Sequence, residues 1–214
     1  MTNLTLTIDE ETLRRARIRA LEMGTSVNAL VRDYLRQVAG RSTAAEGIAE
    51  FFAAIQEAKA GSGSEGRTWT RTNCMTGRTF LDSNVLVYSV DESPAEEVKH
   101  ATAVELVSAR PEDLVLSTQV LQEFYVVTTR KLKNPLSEER AMRAVRGLAK
   151  LDVVGVDVQL VLAAVDTSRT AKISLWDALI IEGASRAGCE RVLSEDLNAG
   201  QVIRGVRIEN PFAV

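Results

Sequence analysis

From residue 75 onward, short apolar runs alternate with amphipathic stretches: TFL (79–81), LVLST (114–118), VVGV (153–156), RVLS (191–194) and VRI (206–208). Runs of this length, separated by helical patterns, argue for an α/β fold in which parallel strands are joined by right-handed helical crossovers. Ligand sites in such sheets form at the carboxyl ends of the strands. Four acids stand at or near those ends. Asp82 follows TFL directly, Glu123 lies about a turn into the helix after LVLST, Asp177 opens the helix ISLWDALIIEGA, and Asp196 follows RVLSE.

Each acid alone has a local use. Asp82 suits a turn, Asp177 the first turn of a helix, Glu123 a solvated helix position and Asp196 a cap. Together on one sheet rim they would repel, by about 4 kcal/mol for two carboxylates some 4 Å apart at an effective dielectric of 20. A cation is the expected compensation, and oxygen ligands without His or Cys select a hard ion, Mg2+ or Mn2+, rather than zinc. Composition supports chemistry based on carboxylates. The chain has 1 His and 2 Cys in 214 residues, and His100 falls in the helical stretch VKHATAVEL, where a solvated surface position is expected. Two distant cysteines give no disulfide framework, and no apolar run approaches the roughly 20 residues of a membrane span, so a reducing cytoplasm and no membrane partner are expected. A net charge of -3 provides no global basic field, so nucleic-acid contacts must come from local patches.

The first 40 residues follow a different pattern. Leu4, Leu6 and Ile8 alternate with Asn3, Thr5 and Thr7 as a strand with one buried face. Asp9 then caps a helix carrying Leu13, Ala16, Ala20 and Leu21, and the segment Gly24, Thr25, Ser26 separates it from a second helix with Val27, Leu30, Val31, Tyr34, Leu35 and Val38. A unit of about 40 residues buries too little surface to fold alone, so dimerisation through the strand is expected. This module resembles the ribbon-helix-helix DNA-binding family in its LTLTI strand and in MGTSVNALVRDYLR. The resemblance implies a two-stranded ribbon in the major groove of operator DNA, with Asn3, Thr5 and Thr7 facing the bases and the amides near Thr25 and Ser26 facing a phosphate. The ribbon carries no Arg or Lys.

Residues 41–74 connect the two halves. STAAEGIAEFFAAIQEAKA places Ile48, Phe51, Phe52 and Ile55 on one helical stripe, which is expected to dock on the larger domain. GSGSEG reads as a flexible linker, and GRTWTRTN follows it.

FLDSNVLVYS, STQVLQEFYVV, ISLWDALIIEGA and VLSEDLNAG resemble the PIN-domain ribonucleases, specifically the VapC toxins of VapBC toxin-antitoxin systems. The similarity spans 75–214 and implies a PIN-like parallel sheet flanked by helices. It further implies that Asp82, Glu123, Asp177 and Asp196 hold the catalytic metal, that Asn84 and Thr118 orient those carboxylates, and that RNA is the substrate. Arg130, Lys131 and Lys133 form the clearest basic cluster for an RNA backbone, and a favourable end-of-helix charge explains them nearly as well. GRTWTRTN resembles the tails with which VapB antitoxins enter the toxin. Arg67 or Arg71 would then sit among the acids in place of the metal's charge, with Trp69 anchoring the tail. The chain thus reads as an antitoxin (1–40 and 41–74) joined to its toxin, forming a homodimer or a higher even-numbered oligomer. Arg71 lies eight residues before Thr79, a span of at most about 27 Å, so plugging in cis requires a nearly extended path around the domain and plugging of a partner chain is equally open. The rival readings are a DNA-binding regulator with an idle PIN-like domain, and a PIN nuclease that acts on structured DNA or in RNA processing.

Overall fold

The computed structural model describes residues 7–22, 26–31, 35, 43–56 and 77–213, and divides the chain into two units, residues 1–42 and 43–214. In the first unit, helix α1 (Glu10–Glu22) is capped by Asp9, whose Oδ1 accepts from the Thr12 amide at 2.8 Å. That bond holds the Asp9 carboxyl below its usual range. Residues 7–9 adopt no regular element, whereas Ile8 had been expected to end a strand; a strand needs a neighbouring backbone to complete its ladder. Residues 27–31 are helical, and Ser26 caps this second helix, its hydroxyl accepting from the Ala29 amide at 3.2 Å. Asn3, Thr5, Thr25, Arg67, Trp69, Arg71 and the GSGSEG linker lie outside the described residues.

The second unit begins with α2 (Thr43–Gln56) and continues β1 (Thr79–Leu81), α3 (Ser83–Tyr88), α4 (Glu97–Ala109), β2 (Leu114–Ser117), α5 (Thr118–Arg130), α6 (Glu138–Leu148), β3 (Asp152–Val154), α7 (Val158–Ala171), α8 (Leu175–Arg186), β4 (Arg191–Leu193), β5 (Val202–Ile203) and β6 (Val206–Glu209). The sheet order is β3-β2-β1-β4-β6-β5. Every pairing is parallel except β5 with β6. β1 lies at the centre with all three residues buried, because helices cover both faces of a parallel sheet. The architecture is mixed α/β, a mostly parallel sheet flanked by helices, as the sequence pattern predicts. The short hairpin β5–β6 was not expected. It turns on Arg204 and Gly205, which both have positive φ (55° and 79°), as the tight turns between antiparallel strands demand. Among the described residues, no helix is long and apolar enough to cross a membrane.

Helix α2 belongs to this core. Ile48, Phe51 and Ile55 are buried, Phe52 is partly buried against them, and the Phe51 ring lies 5.7 Å from that of Phe124 on α5. The helix crosses α6 where Gly47 meets Gly147. A Cβ on either residue would fall 2.5 or 2.6 Å from the other's carbonyl oxygen, so only two glycines let the backbones approach this closely. Arg140 on α6 then donates to the carbonyls of Ala54 (3.1 Å) and Ile55, which the end of α2 would otherwise leave unpaired.

Candidate active site

Three strands end at one rim. The central run TFL brings Asp82 to the carboxyl end of β1, where it is 8% exposed. Its Oδ1 accepts from the Ser83 amide at 2.6 Å and its Oδ2 from the Ser194 hydroxyl at 2.6 Å. Ser194 follows β4, the strand paired with β1, so two residues distant in sequence meet through strand register alone. The same Ser194 oxygen accepts from the amides of Asp196 (3.2 Å) and Leu197 (3.3 Å), which shapes the loop carrying Asp196. β2 ends in Ser117, which caps α5 through the Val120 amide, and α5 in turn presents Gln119 and Glu123.

Two small side chains at the start of α3 link the acids. Asn84 donates from Nδ2 to Asp82 Oδ2 and to Asp196 Oδ2, both at 3.2 Å. The Ser83 hydroxyl donates to Glu123 Oε2 at 2.8 Å, and Gln119 Nε2 donates to Glu123 Oε1 at 2.8 Å. Burial is the main force raising the Asp82 pKa, to about 6. The Ser194 and Ser83 bonds oppose the rise, while the charges of Glu123 and Asp196 add to it. The negative charge here is therefore poorly compensated.

Hydrogen bonds through Ser83 and Asn84 link three of the four expected acids, Asp82, Glu123 and Asp196. Asp177 is half-buried in the first turn of α8, where its amide donates to Ser174 Oγ at 3.1 Å. Gln119 Nε2 reaches the carbonyl of the preceding residue, Trp176, at 3.4 Å. Among the described residues, no three acidic, histidine or cysteine side chains stand close enough to cage a metal ion. Ser83 and Asn84 bridge the linked acids. The donor chemistry nevertheless fits a hard cation: the groups are all oxygens, and the buried Asn84 Oδ1 and Gln119 Oε1 have no hydrogen-bond partner among the described residues.

Other expectations need correcting. The Thr118 hydroxyl does not orient a carboxylate; it accepts from the Val156 amide at 3.1 Å and ties the start of α5 to the end of β3, because Thr118 sits at the mouth of the β2–β3 pair. His100 is half-buried rather than solvated, its Nδ1 lying 2.9 Å from the Tyr88 carbonyl. Arg130, Lys131 and Lys133 are exposed at the C-terminal end of α5, about 10 Å of helix beyond Glu123. Ser83, Gln119 and Ser194 are the site residues that sequence reading missed.

A PIN domain profile matches residues 79–203, more than half of the chain, and the chain belongs to the PIN domain family. No curated protein matches it. Among solved structures, the DNA-bound VapBC of Salmonella typhimurium is similar over 64% of this chain and 99% of that one, with a TM-score of 0.46 and 20% identity. VapC20 of Mycobacterium tuberculosis, described as a sarcin-ricin loop cleaving toxin, is similar over 53% and 86%, with a TM-score of 0.43 and 19% identity. VapBC2 of Rickettsia felis, bound to a fragment of promoter DNA, is similar over 62% and 97%, with a TM-score of 0.45 and 14% identity.

Proposed function

We propose that the chain is a self-inhibited toxin-antitoxin fusion whose PIN half is a metal-dependent endoribonuclease. The observation that carries this reading is the linkage of Asp82, Glu123 and Asp196 through Ser83 and Asn84 at the carboxyl rim of the sheet, with the Asp82 carboxyl pushed up to about 6 by burial and like charge. Membership of the PIN family supports it. Asp82, Glu123 and Asp196, joined by Asp177, would hold Mg2+ or Mn2+. When bound, such an ion supplies the positive charge that polarises a phosphate oxygen and an attacking water. Asn84 spaces the carboxylates of Asp82 and Asp196, while Gln119 and Ser83 keep both oxygens of Glu123 turned into the site. Arg130, Lys131 and Lys133 would steer the RNA backbone toward the rim.

The N-terminal module would bind operator DNA as a dimer or higher even-numbered assembly, using Asn3, Thr5 and Thr7 on bases and the helix start near Thr25 and Ser26 on phosphate. Helix α2 packs into the PIN core, and in the tail that follows it in sequence Arg67 or Arg71 would neutralise the acids and Trp69 would anchor the plug. The test compares three full-length proteins on cellular RNA with Mg2+ or Mn2+: the unsubstituted chain, Arg67→Ala with Arg71→Ala, and that pair with Asp82→Asn. Mapped cuts should rise in the second and vanish in the third. Equal cleavage by the second and third removes the nuclease, and equal cleavage by the first and second removes the plug.

A further inference from the structure

Asp196 is the exposed member of the linked acids and lies on a loop, so something must hold that loop against the rim. Its neighbour Glu195 turns the other way. Glu195 Oε1 pairs with Lys99 Nζ at 2.8 Å, and Oε2 accepts from the Tyr88 hydroxyl. Lys99 Nζ also lies 3.0 Å from the Tyr88 hydroxyl and 3.3 Å from Glu96 Oε2, and sits 4.5 Å from the centroid of the Tyr88 ring. The three donors of this ammonium are therefore all used inside the protein, and both oxygens of Glu195 are taken. The Tyr88 ring in turn packs edge-on against Phe212, with centroids 4.9 Å apart.

Helix α3 thus holds two consecutive loop residues from two successive turns, Asp196 through Asn84 and Glu195 through Tyr88. With Ser194 bonded to Asp82, three adjacent residues of the loop are each fixed to a different partner. We propose that Tyr88 and Lys99, acting on Glu195, are positioning residues that hold Asp196 at the metal site. This rests on the metal-dependent nuclease reading. Lys99 contacts no substrate, and Glu195, although an acid beside the site, is no ligand.

The experiment uses the full-length chain carrying Arg67→Ala and Arg71→Ala, which leaves the rim open whether or not the tail reaches it. Tyr88→Phe, which keeps the ring on Phe212, and Lys99→Met are added singly and together. Mn2+ binding is followed by calorimetry, alongside melting temperature and the kcat and KM for RNA at saturating Mn2+. Each substitution should weaken Mn2+ binding about 10-fold, the low end of what partners one step behind metal ligands cost. The pair together should do little worse than either alone, because they act through one contact. RNA KM should not move. Unchanged Mn2+ affinity in folded Tyr88→Phe overturns the proposal, as does a Lys99→Met effect confined to RNA KM, which would make Lys99 a phosphate contact. A background protein that neither binds Mn2+ nor cuts RNA would remove the nuclease reading itself and this proposal with it.

Discussion

Asn84 spans Asp82 and Asp196 with one amide nitrogen, 3.2 Å from each carboxylate, although the two acids come from different strands. Removing that amide leaves the pair without a shared donor. Asn84→Ala is expected to lower RNA cleavage about 10- to 100-fold, as loss of a group behind metal ligands does. Cleavage rate against Mg2+ concentration checks it, and a rate within twofold of the parent would show that the amide does not order the acids.

Asp82 makes a sharper forecast about pH. Its carboxyl rises from 3.8 to about 6 in the fold, so the folded state takes up a proton more readily than the unfolded chain. The stability this group contributes is complete below about pH 4 and is lost as pH climbs through 6. In chelator, and with Arg67 and Arg71 both changed to Ala, Asp82→Asn should therefore gain in relative stability between pH 4.5 and 7.5, by about 2 kcal/mol. Melting curves at the two pH values measure it. A difference that stays constant with pH refutes it, and a smaller gain in the chain that keeps both arginines would support the plug.

At the α2–α6 crossing, the usual effect of a helix substitution should reverse. Gly→Ala within a helix ordinarily stabilises by up to about 1 kcal/mol. At Gly147 the new Cβ would meet the Gly47 carbonyl at 2.6 Å and the Phe51 amide at 2.7 Å, both backbone atoms. Gly147→Ala is expected to destabilise by about 1–3 kcal/mol, the usual range for overpacking. Urea unfolding decides the sign.

The basic trio at the end of α5 should act at a distance from the chemistry. Changing Arg130, Lys131 and Lys133 together to Ala is expected to raise the RNA KM severalfold and flatten its salt dependence while leaving kcat intact, because these residues are exposed and lie beyond Glu123 along the helix. An unchanged salt slope would assign them to the helix end alone.

Much of this architecture was legible in the sequence because strands buried on both faces are written as unbroken apolar runs, and the run TFL led directly to Asp82 at the right end of β1. The stripe of Ile48, Phe51 and Ile55 pointed to a docked helix in the same way, since that much apolar surface has to be covered. What stayed hidden depends on register. Ser194 reads as an ordinary turn residue until β4 pairs with β1 and brings it to Asp82. Ser83 and Gln119 likewise look like helix-start residues until Glu123 arrives beside them. Ser117 and Thr118 are chemically alike neighbours, and only the β2–β3 pairing shows that the Thr118 hydroxyl serves a backbone amide. The β5–β6 hairpin went unseen because Arg204 occupies a positive-φ position that usually signals itself with Gly, Asn or Asp.

The seating of residues 43–56 in the PIN core bears on how the PIN half can be handled. Severed from this helix, the remainder would bare the Phe124 ring, the backbone groove at Gly147 and the surrounding aliphatic side chains to water, an oily trough of the kind that draws molecules into aggregates. Keeping the helix attached therefore serves solubility as much as any inhibitory purpose, and a preparation trimmed at residue 75 should precipitate unless a helix of matching shape is supplied.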